Sequence, residues 1–333
     1  MHVPNRYDKY SNMTNIPSIR VGHFTNNECA TGCTVVICDK GATCGVDIRG
    51  SAPGTRETAL LAPHCLVDKV NAILLTGGSA LGLAAADGVM RYCQEQGYGF
   101  GMGAKKIPIV PAAVIYDFNV GIGDYAPTAK DGYEACLCAR SAKIAQGNVG
   151  AGTGALVGKV CGVERAMRGG LGSSSMQFPN SLIISAVVVV NTYGDVRSYE
   201  NNRIIAGARS TEGGFVDTIQ YIMNGHLPAT HCRSNTIIGV VATNARFDKT
   251  DMTKIAQMAQ VGVSQVITPA HTMYDGDTFF ALATGDIKAE INFVGIVAAE
   301  LVKKAIQNAI FQSRARDGIP AYSNYLKRGM NGN

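Results

Sequence analysis

The sequence predicts a layered α/β or α+β domain. Short apolar runs rich in Val and Ile alternate with longer segments of helical periodicity along the 333 residues. Several short runs are apolar at every position, which indicates strands buried on both faces. Hydrophobic residues make up 46% of the chain and charged residues only 17%, so a disordered chain is excluded. Buried strands together with helices indicate a domain built from packed layers.

Strands are predicted where a short β-branched run is bounded by Gly, Pro or Asn. These runs are residues 34–38, 72–76, 107–116, 182–192, 236–243 and 278–283. Four helices follow from apolar residues at helical spacing, namely 80–96, 128–146, a third that starts near Asp251, and 287–312. Ser79 and Thr250 are the predicted N-caps of the first and third helices.

Two stretches lack clear periodicity. Residues 147–172 are rich in Gly, and residues 198–234 are polar and end directly before an apolar strand. A long irregular segment is usually functional or disordered, so 198–234 is predicted to be exposed and weakly structured.

Composition and charge exclude several classes of protein. The net charge of +5 comes from scattered Lys and Arg, whereas nucleic-acid binding needs a concentrated basic surface. The longest apolar stretch, 182–190, is shorter than a membrane span of ~20 residues. The first eight residues lack signal-peptide character, which predicts a cytoplasmic protein. The ten Cys residues contain no Cys-x-x-Cys pair and are predicted to be buried thiols, with no metal and no cofactor.

One Gly-rich loop, residues 76–80, lies between a predicted strand and a predicted helix. The N–H groups of Gly77, Gly78 and Ser79 would suit an anion or a carbonyl oxygen at the helix N-terminus. A plain tight turn between strand and helix fits the same residues equally well.

A second Gly-rich loop, residues 150–160, fails both nucleotide-binding patterns. Walker A needs Ser or Thr after Lys159, but Val160 stands there. The dinucleotide pattern fails because Val157 replaces its last Gly. The loop is either a turn packed against backbone or a loop that presents Lys159 to a site.

The junction between Asn235 and Thr236 joins a polar loop to an apolar strand. Enzymes with an N-terminal nucleophile place Thr, Ser or Cys at the start of a buried strand, where cleavage of the chain frees its α-amine. That amine, with a reference pKa of ~7.7–8.0, can act as the base for the hydroxyl of the same residue. Such an enzyme needs no Ser/His/Asp set, and the six His residues form no obvious one.

Two carboxylates, Asp275 and Asp277, directly precede the strand predicted at 278–283. The segment is too short for a calcium loop and lacks its distal Glu. It is either a solvated turn or a carboxylate pair that orients a hydroxyl or an ammonium group.

Together these motifs resemble the P1 peptidase family, which comprises L-aminopeptidase/D-esterases, β-peptidyl aminopeptidases and nylon-oligomer endo-hydrolases. The resemblance extends from about residue 16 to residue 311, and its motifs are 76–80, 107–117, 150–154, 190–195, 235–236, 242–245 and 275–278. It implies an α+β fold, an αββα four-layer sandwich of N-terminal-nucleophile type, and self-cleavage between Asn235 and Thr236. Residues 1–235 and 236–333 would be two chains of one structural domain. Family members assemble into homo-oligomers, tetramers or larger.

The resemblance also implies catalytic roles. Thr236 would be the nucleophile and its amine the base. Lys159 would line the site and tune that amine by charge repulsion. Asp275 and Asp277 would hold and polarise the hydroxyl and amine of Thr236. Asn191 would be catalytic near the acyl oxygen.

The residues expected to contact the acyl oxygen or the substrate, besides Asn191, are Tyr116, Gly77, Gly78 and Ser79. The family's aminopeptidase branch has Ser as the nucleophile and a Ser-x-Glu pair. Thr with Asp-x-Asp instead resembles the nylon-oligomer hydrolase branch. This pattern favours hydrolysis of a small peptide or linear amide without an obligatory terminal amine.

Two alternatives remain at this point. One is an acyltransferase that passes the acyl group to an amine, since the fold resembles that of ornithine acetyltransferases. The other is a non-catalytic small-molecule binder that keeps the fold. The presence of Thr236, Lys159 and both carboxylates argues against the second.

Overall fold

The structure is a computed structural model that describes residues 12–227 and 235–329. Its α-helices are α1 (Ala85–Glu95), α2 (Ala129–Leu137), α3 (Thr218–Met223), α4 (Lys249–Ser264), α5 (Ile291–Gln312) and α6 (Tyr322–Gly329). Its strands are β1 (Ile19–Asn26), β2 (Thr31–Ile48), β3 (Thr55–Arg56), β4 (Lys69–Thr76), β5 (Phe100–Met102), β6 (Lys105–Ile107), β7 (Ala112–Val114), β8 (Leu156–Val157), β9 (Met167–Arg168), β10 (Gly170–Gln177), β11 (Ile183–Asn191), β12 (Asp195–Arg197), β13 (Ile204–Ala206), β14 (Ala208–Arg209), β15 (Phe215–Val216), β16 (Thr236–Ala245), β17 (Ile267–Thr268) and β18 (Thr278–Ile287).

Nine strands form one large mixed sheet in the order β10-β11-β16-β18-β2-β4-β7-β3, with β1 also paired to β2. The long strand β2 belongs to both halves of this sheet. Its residues 33–37 and 42–43 pair with β4, whereas its residues 43–48 pair with β18. The sheet therefore divides at β2 into a half that contains β4 and a half that contains β16.

Alternating side chains show that these two halves pack face to face. In β2, Val35 faces the helices α1 and α2, whereas Val36 faces the core between the two halves. In β16, Val240 faces that same central core, whereas Val241 packs against α4 and α5. A period of two with both faces apolar requires a cover on each side of each half. The result is four layers, helices–sheet–sheet–helices, which confirms the predicted αββα sandwich.

Several predicted boundaries are wrong. The second helix ends at Leu137 rather than 146, because Arg140 forms an isolated bridge with Val21 of β1. The N-cap of α4 is Asp248, which accepts from the Asp251 N–H, instead of Thr250. The strand predicted at 107–116 is short, since only the three residues of β7 pair with β4 within it.

The two stretches predicted to be irregular also contain regular structure. Residues 147–172 include β8, β9 and the first residues of β10. Residues 198–227 include β13, β14, β15 and the short helix α3, so the prediction of a weakly structured segment is wrong there. The rest of that prediction, residues 228–234, lies outside the described residues.

The described cysteines are free thiols with mixed exposure. Cys33, Cys38, Cys44, Cys93 and Cys136 are buried, whereas Cys138 is exposed. The prediction of buried thiols therefore fails for Cys138, which lies just after α2, and holds only in part for the half-buried Cys29, Cys65 and Cys161. Across the described ranges, none of the helices combines the length and the apolar character needed to cross a membrane.

Helices α1 and α2 cross at two glycines, Gly88 and Gly132, that leave no room for a side chain. A Cβ at Gly88 would lie 1.7 Å from the carbonyl oxygen of Ala129. We expect Gly88→Ala to lower the free energy of unfolding by about 2 kcal/mol, because overpacked cores must shift backbone. The exposed Gly101, whose Cβ would meet nothing within 4 Å, provides the control Gly101→Ala. Urea denaturation of both variants tests this, and equal midpoints would contradict it.

Candidate active site

The predicted nucleophile, Thr236, begins β16 in the middle of the large sheet. Strand β16 runs antiparallel to β11 on one side and parallel to β18 on the other. Parallel neighbours begin at the same edge of a sheet, so the residues just before Thr278 lie beside Thr236. Asn191, the last residue of β11, is the cross-strand partner of Thr236. The topology thus brings together predicted positions that are distant in sequence.

The junction between Asn235 and Thr236 is buried, with the two residues 1% and 7% exposed. The Asn235 N–H donates to the Tyr274 carbonyl oxygen at 3.1 Å, and the Gly276 N–H donates to the Asn235 carbonyl oxygen at 3.0 Å. The Thr236 hydroxyl donates to that same carbonyl oxygen. The hydroxyl therefore lies against the carbonyl group that it would attack in self-cleavage, and a backbone donor already polarises that carbonyl.

Asp277 is completely buried and accepts three hydrogen bonds. Its Oδ1 accepts from the Ile237 N–H at 2.7 Å, which ties the carboxylate to the residue after the predicted nucleophile. Its Oδ2 accepts from the backbone N–H of His271 at 3.2 Å and lies 2.7 Å from the His271 Nδ1. Asp277 thus links the loop at 271 to the start of β16.

Asp275 is also buried, and its Oδ2 accepts from the Thr272 N–H at 2.7 Å and the Thr272 hydroxyl at 2.6 Å. Burial, and then the neighbouring charge of Asp277, raises the pKa of Asp275 to about 6. The Thr272 bonds and the positive charge of Lys159 oppose that rise. Among the described residues, no three His, Cys, Asp or Glu side chains are grouped so that they could hold a metal.

The second part of the site centres on the buried amide of Asn191. Its Oδ1 accepts from the Lys159 ammonium group and from the Leu156 N–H, both at 3.0 Å. Its Nδ2 donates to the Tyr116 carbonyl oxygen at 3.1 Å, a bond that uses only one of the two amide hydrogens. Lys159 is 2% exposed, so its charge lies inside the protein. The predicted residues Lys159, Asn191 and Tyr116 therefore belong to one network, with Tyr116 joined through its backbone.

The loop at 76–80 differs from its predicted role. The Gly77 N–H donates to the Gly32 carbonyl oxygen, and the Ser79 N–H donates to the Ile115 carbonyl oxygen, both at 2.9 Å. The Gly78 N–H donates to the Asp117 carboxylate at 2.8 Å. All three N–H groups of Gly77, Gly78 and Ser79 are used within the protein, so in this form of the chain an acyl oxygen needs other donors.

The sequence pattern does not single out three residues of this site, namely His271, Thr272 and Gly276. His271 and Thr272 precede the two carboxylates and bond to Asp277 and Asp275, respectively. Gly276 stands between the carboxylates, and its N–H donates to the carbonyl oxygen at the junction. Their signal is the polar density of the loop before β18, where His and Thr stand three to six residues ahead of the two Asp residues. His271 also has a φ of +59°, a conformation that few residues other than Gly and Asn adopt readily.

Solved structures share this architecture. The L-aminopeptidase D-Ala-esterase/amidase from Ochrobactrum anthropi, described as a variant of the Ntn hydrolase fold, matches with a TM-score of 0.73 at 17% identity, covering 96% of this chain and 94% of that one. A Burkholderia sp. beta-aminopeptidase matches with a TM-score of 0.70 at 20% identity, covering 98% and 95%. The fold and the buried start of β16 therefore define a protein with the Ntn hydrolase fold.

Sequence comparisons narrow the class further. The chain belongs to peptidase family S58, whose sequence profile matches residues 11–321. This confirms the resemblance to P1 peptidases and makes the protein a hydrolase of amide bonds. An uncharacterized aminopeptidase of Mycobacterium leprae is 38% identical over 344 residues, covering 94% of this chain and 93% of the relative. A 6-aminohexanoate-oligomer endohydrolase of Kocuria sp. is 31% identical over 275 residues, covering 81% and 74%.

Proposed function

We propose that the chain cleaves itself between Asn235 and Thr236 and then hydrolyses peptides or other linear amides through an acyl-threonine intermediate. The observation that carries this proposal is the hydrogen bond from the Thr236 hydroxyl to the Asn235 carbonyl oxygen, which the Gly276 N–H also binds. A nucleophile, its target carbonyl and a donor to the developing negative charge are thereby in contact before any reaction occurs.

Self-cleavage takes two steps. The Thr236 Oγ1 attacks the carbonyl carbon of Asn235, an ester bond forms, and the C–N bond breaks. The nitrogen of Thr236 takes up the hydroxyl proton and becomes a free α-amine. Water then hydrolyses the ester, which leaves a carboxylate on Asn235 and restores the hydroxyl of Thr236.

Turnover repeats this chemistry on a substrate amide. The freed amine of Thr236 accepts the hydroxyl proton during attack and passes it to the leaving nitrogen, and water then cleaves the acyl-enzyme. Asp277 holds the start of β16 through the Ile237 N–H, and Asp275 lies two residues away with a raised pKa. The buried charge of Lys159 keeps the nearby amine in its neutral, basic form.

Asn191 and Tyr116 complete the proposed site. The Asn191 amide is held by Lys159 and by the Tyr116 carbonyl, which fixes the direction of its nitrogen. Its remaining amide hydrogen is the proposed second donor to the acyl oxygen, next to the Gly276 N–H. Assembly of cleaved units into a homo-oligomer and a cytoplasmic location stay predictions from the sequence.

The test is direct. Purified wild-type protein should separate on a denaturing gel into chains of 235 and 98 residues. N-terminal sequencing of the smaller chain should read Thr-Ile-Ile-Gly-Val. An uncleaved chain with full hydrolytic activity would refute the mechanism. Adding an amine acceptor to the assay distinguishes acyl transfer from hydrolysis, since hydrolysis ends with the acyl group as the free acid, whereas transfer ends with it in a new amide to the added amine.

A further inference from the structure

Asn235 pairs with the loop before β18 as if it were one residue of an added parallel strand. Its N–H donates to the Tyr274 carbonyl oxygen, and its carbonyl oxygen accepts from the Gly276 N–H, at 3.1 and 3.0 Å. The two form an isolated parallel bridge centred on Asp275. The backbone of residues 274–276, here called the acyl edge, thus holds both polar backbone groups of the residue whose carbonyl would be attacked.

The other side of the acyl edge is already bonded to the protein. The Ala52 N–H donates to the Asp275 carbonyl oxygen at 2.9 Å, and the Arg49 N–H donates to the Asp277 carbonyl oxygen at 3.0 Å. A Cβ at Gly276 would lie 2.6 Å from the Ala52 carbonyl oxygen and 3.0 Å from the Thr236 Oγ1. The edge is therefore fixed in position and lies against the proposed nucleophile, and the side that Asn235 occupies in the uncut chain is the one that can bind an extended acyl group.

We infer that the acyl edge binds the acyl residue of the substrate and selects an internal α-amino acid residue of a peptide. This inference rests on the proposed function. Self-cleavage and turnover both form an ester on the Thr236 Oγ1, so the acyl carbon of a substrate takes the place of the Asn235 carbonyl carbon in that ester once the freed Asn235 end has moved away. The same donor, Gly276, then binds its oxygen, and Tyr274 accepts its N–H.

The spacing of these two bonds selects the chemical class. In an α-amino acyl residue, a single carbon separates the N–H from the carbonyl, as it does in Asn235. A β-amino acyl residue adds a C–C bond of about 1.5 Å, which moves the N–H away from the Tyr274 oxygen. In a 6-aminohexanoyl group, five carbons separate the N–H from the carbonyl. Such a group cannot bond to Tyr274 and Gly276 in the way that Asn235 does. The acyl edge thus favours α-peptides over β-peptides and over ω-amino acid oligomers.

A set of p-nitroanilides that share one leaving group tests this with the cleaved wild-type enzyme. N-acetyl-alanyl p-nitroanilide carries the N–H, and O-acetyl-lactyl p-nitroanilide replaces it with an ester oxygen. We expect kcat/KM to fall roughly 10- to 100-fold on this replacement, because the Tyr274 oxygen loses its donor. N-acetyl-β-alanyl and 6-acetamidohexanoyl p-nitroanilides should be comparably poor. Values within twofold for the first pair, or a preference for the 6-acetamidohexanoyl compound, would overturn the inference.

Self-cleavage gives a second measurement that needs no external substrate. Asn235→Ala keeps the N–H that bonds to Tyr274, and Asn235→Pro removes it. Followed on gels after translation in vitro, the Pro variant should cleave at least about 10-fold more slowly than the Ala variant. Equal cleavage rates for the Ala and Pro variants would overturn the inference about the acyl edge, even though cleavage itself occurs. A wild-type chain that never cleaves would instead refute the proposed function.

Discussion

Thr236→Ala will remain a single chain and will lose amide hydrolysis by at least about 10⁴-fold. On the proposed mechanism, the substitution removes the hydroxyl oxygen that forms the ester, so the adjacent Asn235 carbonyl loses its attacking group. Since no cleavage takes place, no α-amine appears at position 236, so nucleophile and base are lost together. Denaturing gels and an assay on a peptide p-nitroanilide measure the two losses separately.

Thr236→Ser is the matched control, because it keeps the hydroxyl and removes only a methyl group. We expect it to cleave and to retain activity within about two orders of magnitude of the wild type. Cleavage of Thr236→Ala at the same junction would show that another residue is the nucleophile. Loss of cleavage in both variants, with a native melting temperature, would show that the hydroxyl is not enough.

Asp277→Asn will slow self-cleavage by about 100-fold or more. All three partners of the carboxylate are hydrogen-bond donors: the Ile237 N–H, the backbone N–H of His271 and the His271 ring. An amide nitrogen in place of either oxygen faces a donor and leaves at least one buried N–H without an acceptor. The start of β16, and with it the Thr236 hydroxyl, then loses its fixed position.

Stability must be separated from this effect on rate. Introduced into the uncleavable Thr236→Ala chain, Asp277→Asn should lower the free energy of unfolding by about 1–3 kcal/mol, which leaves a folded protein to assay. His271→Asn should cleave faster than His271→Gly, because Asn tolerates the φ of +59° and can offer an N–H near the position of Nδ1. Equal cleavage rates for these two variants would show that the His271 side chain does not position Asp277.

The strands that carry the site could be predicted because their composition is unambiguous. β16 and β18 are apolar on both faces and begin just after polar loops, so Thr236 and Asp277 stand at recognisable strand starts. That the two strands are parallel neighbours could not be predicted, since only tertiary pairing decides it. The same pairing places the two carboxylates beside Thr236, the proposed nucleophile.

Other strands could not be predicted because they consist largely of small residues. β10 has the composition of a loop, with Gly and Ser at most positions. It is a strand because its small side chains let α5 approach closely: a Cβ at Gly172 would lie 1.9 Å from the Ala305 carbonyl oxygen. No sequence pattern marks His271 either, because its contact with Asp277 depends on the folded conformation of the loop before β18.

The burial of the junction has a consequence for maturation. At 1% and 7% exposure, Asn235 and Thr236 are out of reach of a processing protease once the sheet has formed. The groups proposed to prepare self-cleavage come from residues 271–277, which leave the ribosome after the junction has been made. On the proposed function, cleavage therefore cannot precede completion of the sheet, and the catalytic amine exists only in molecules that have folded correctly. Correct folding is then the step that each molecule must complete before it can hydrolyse any substrate.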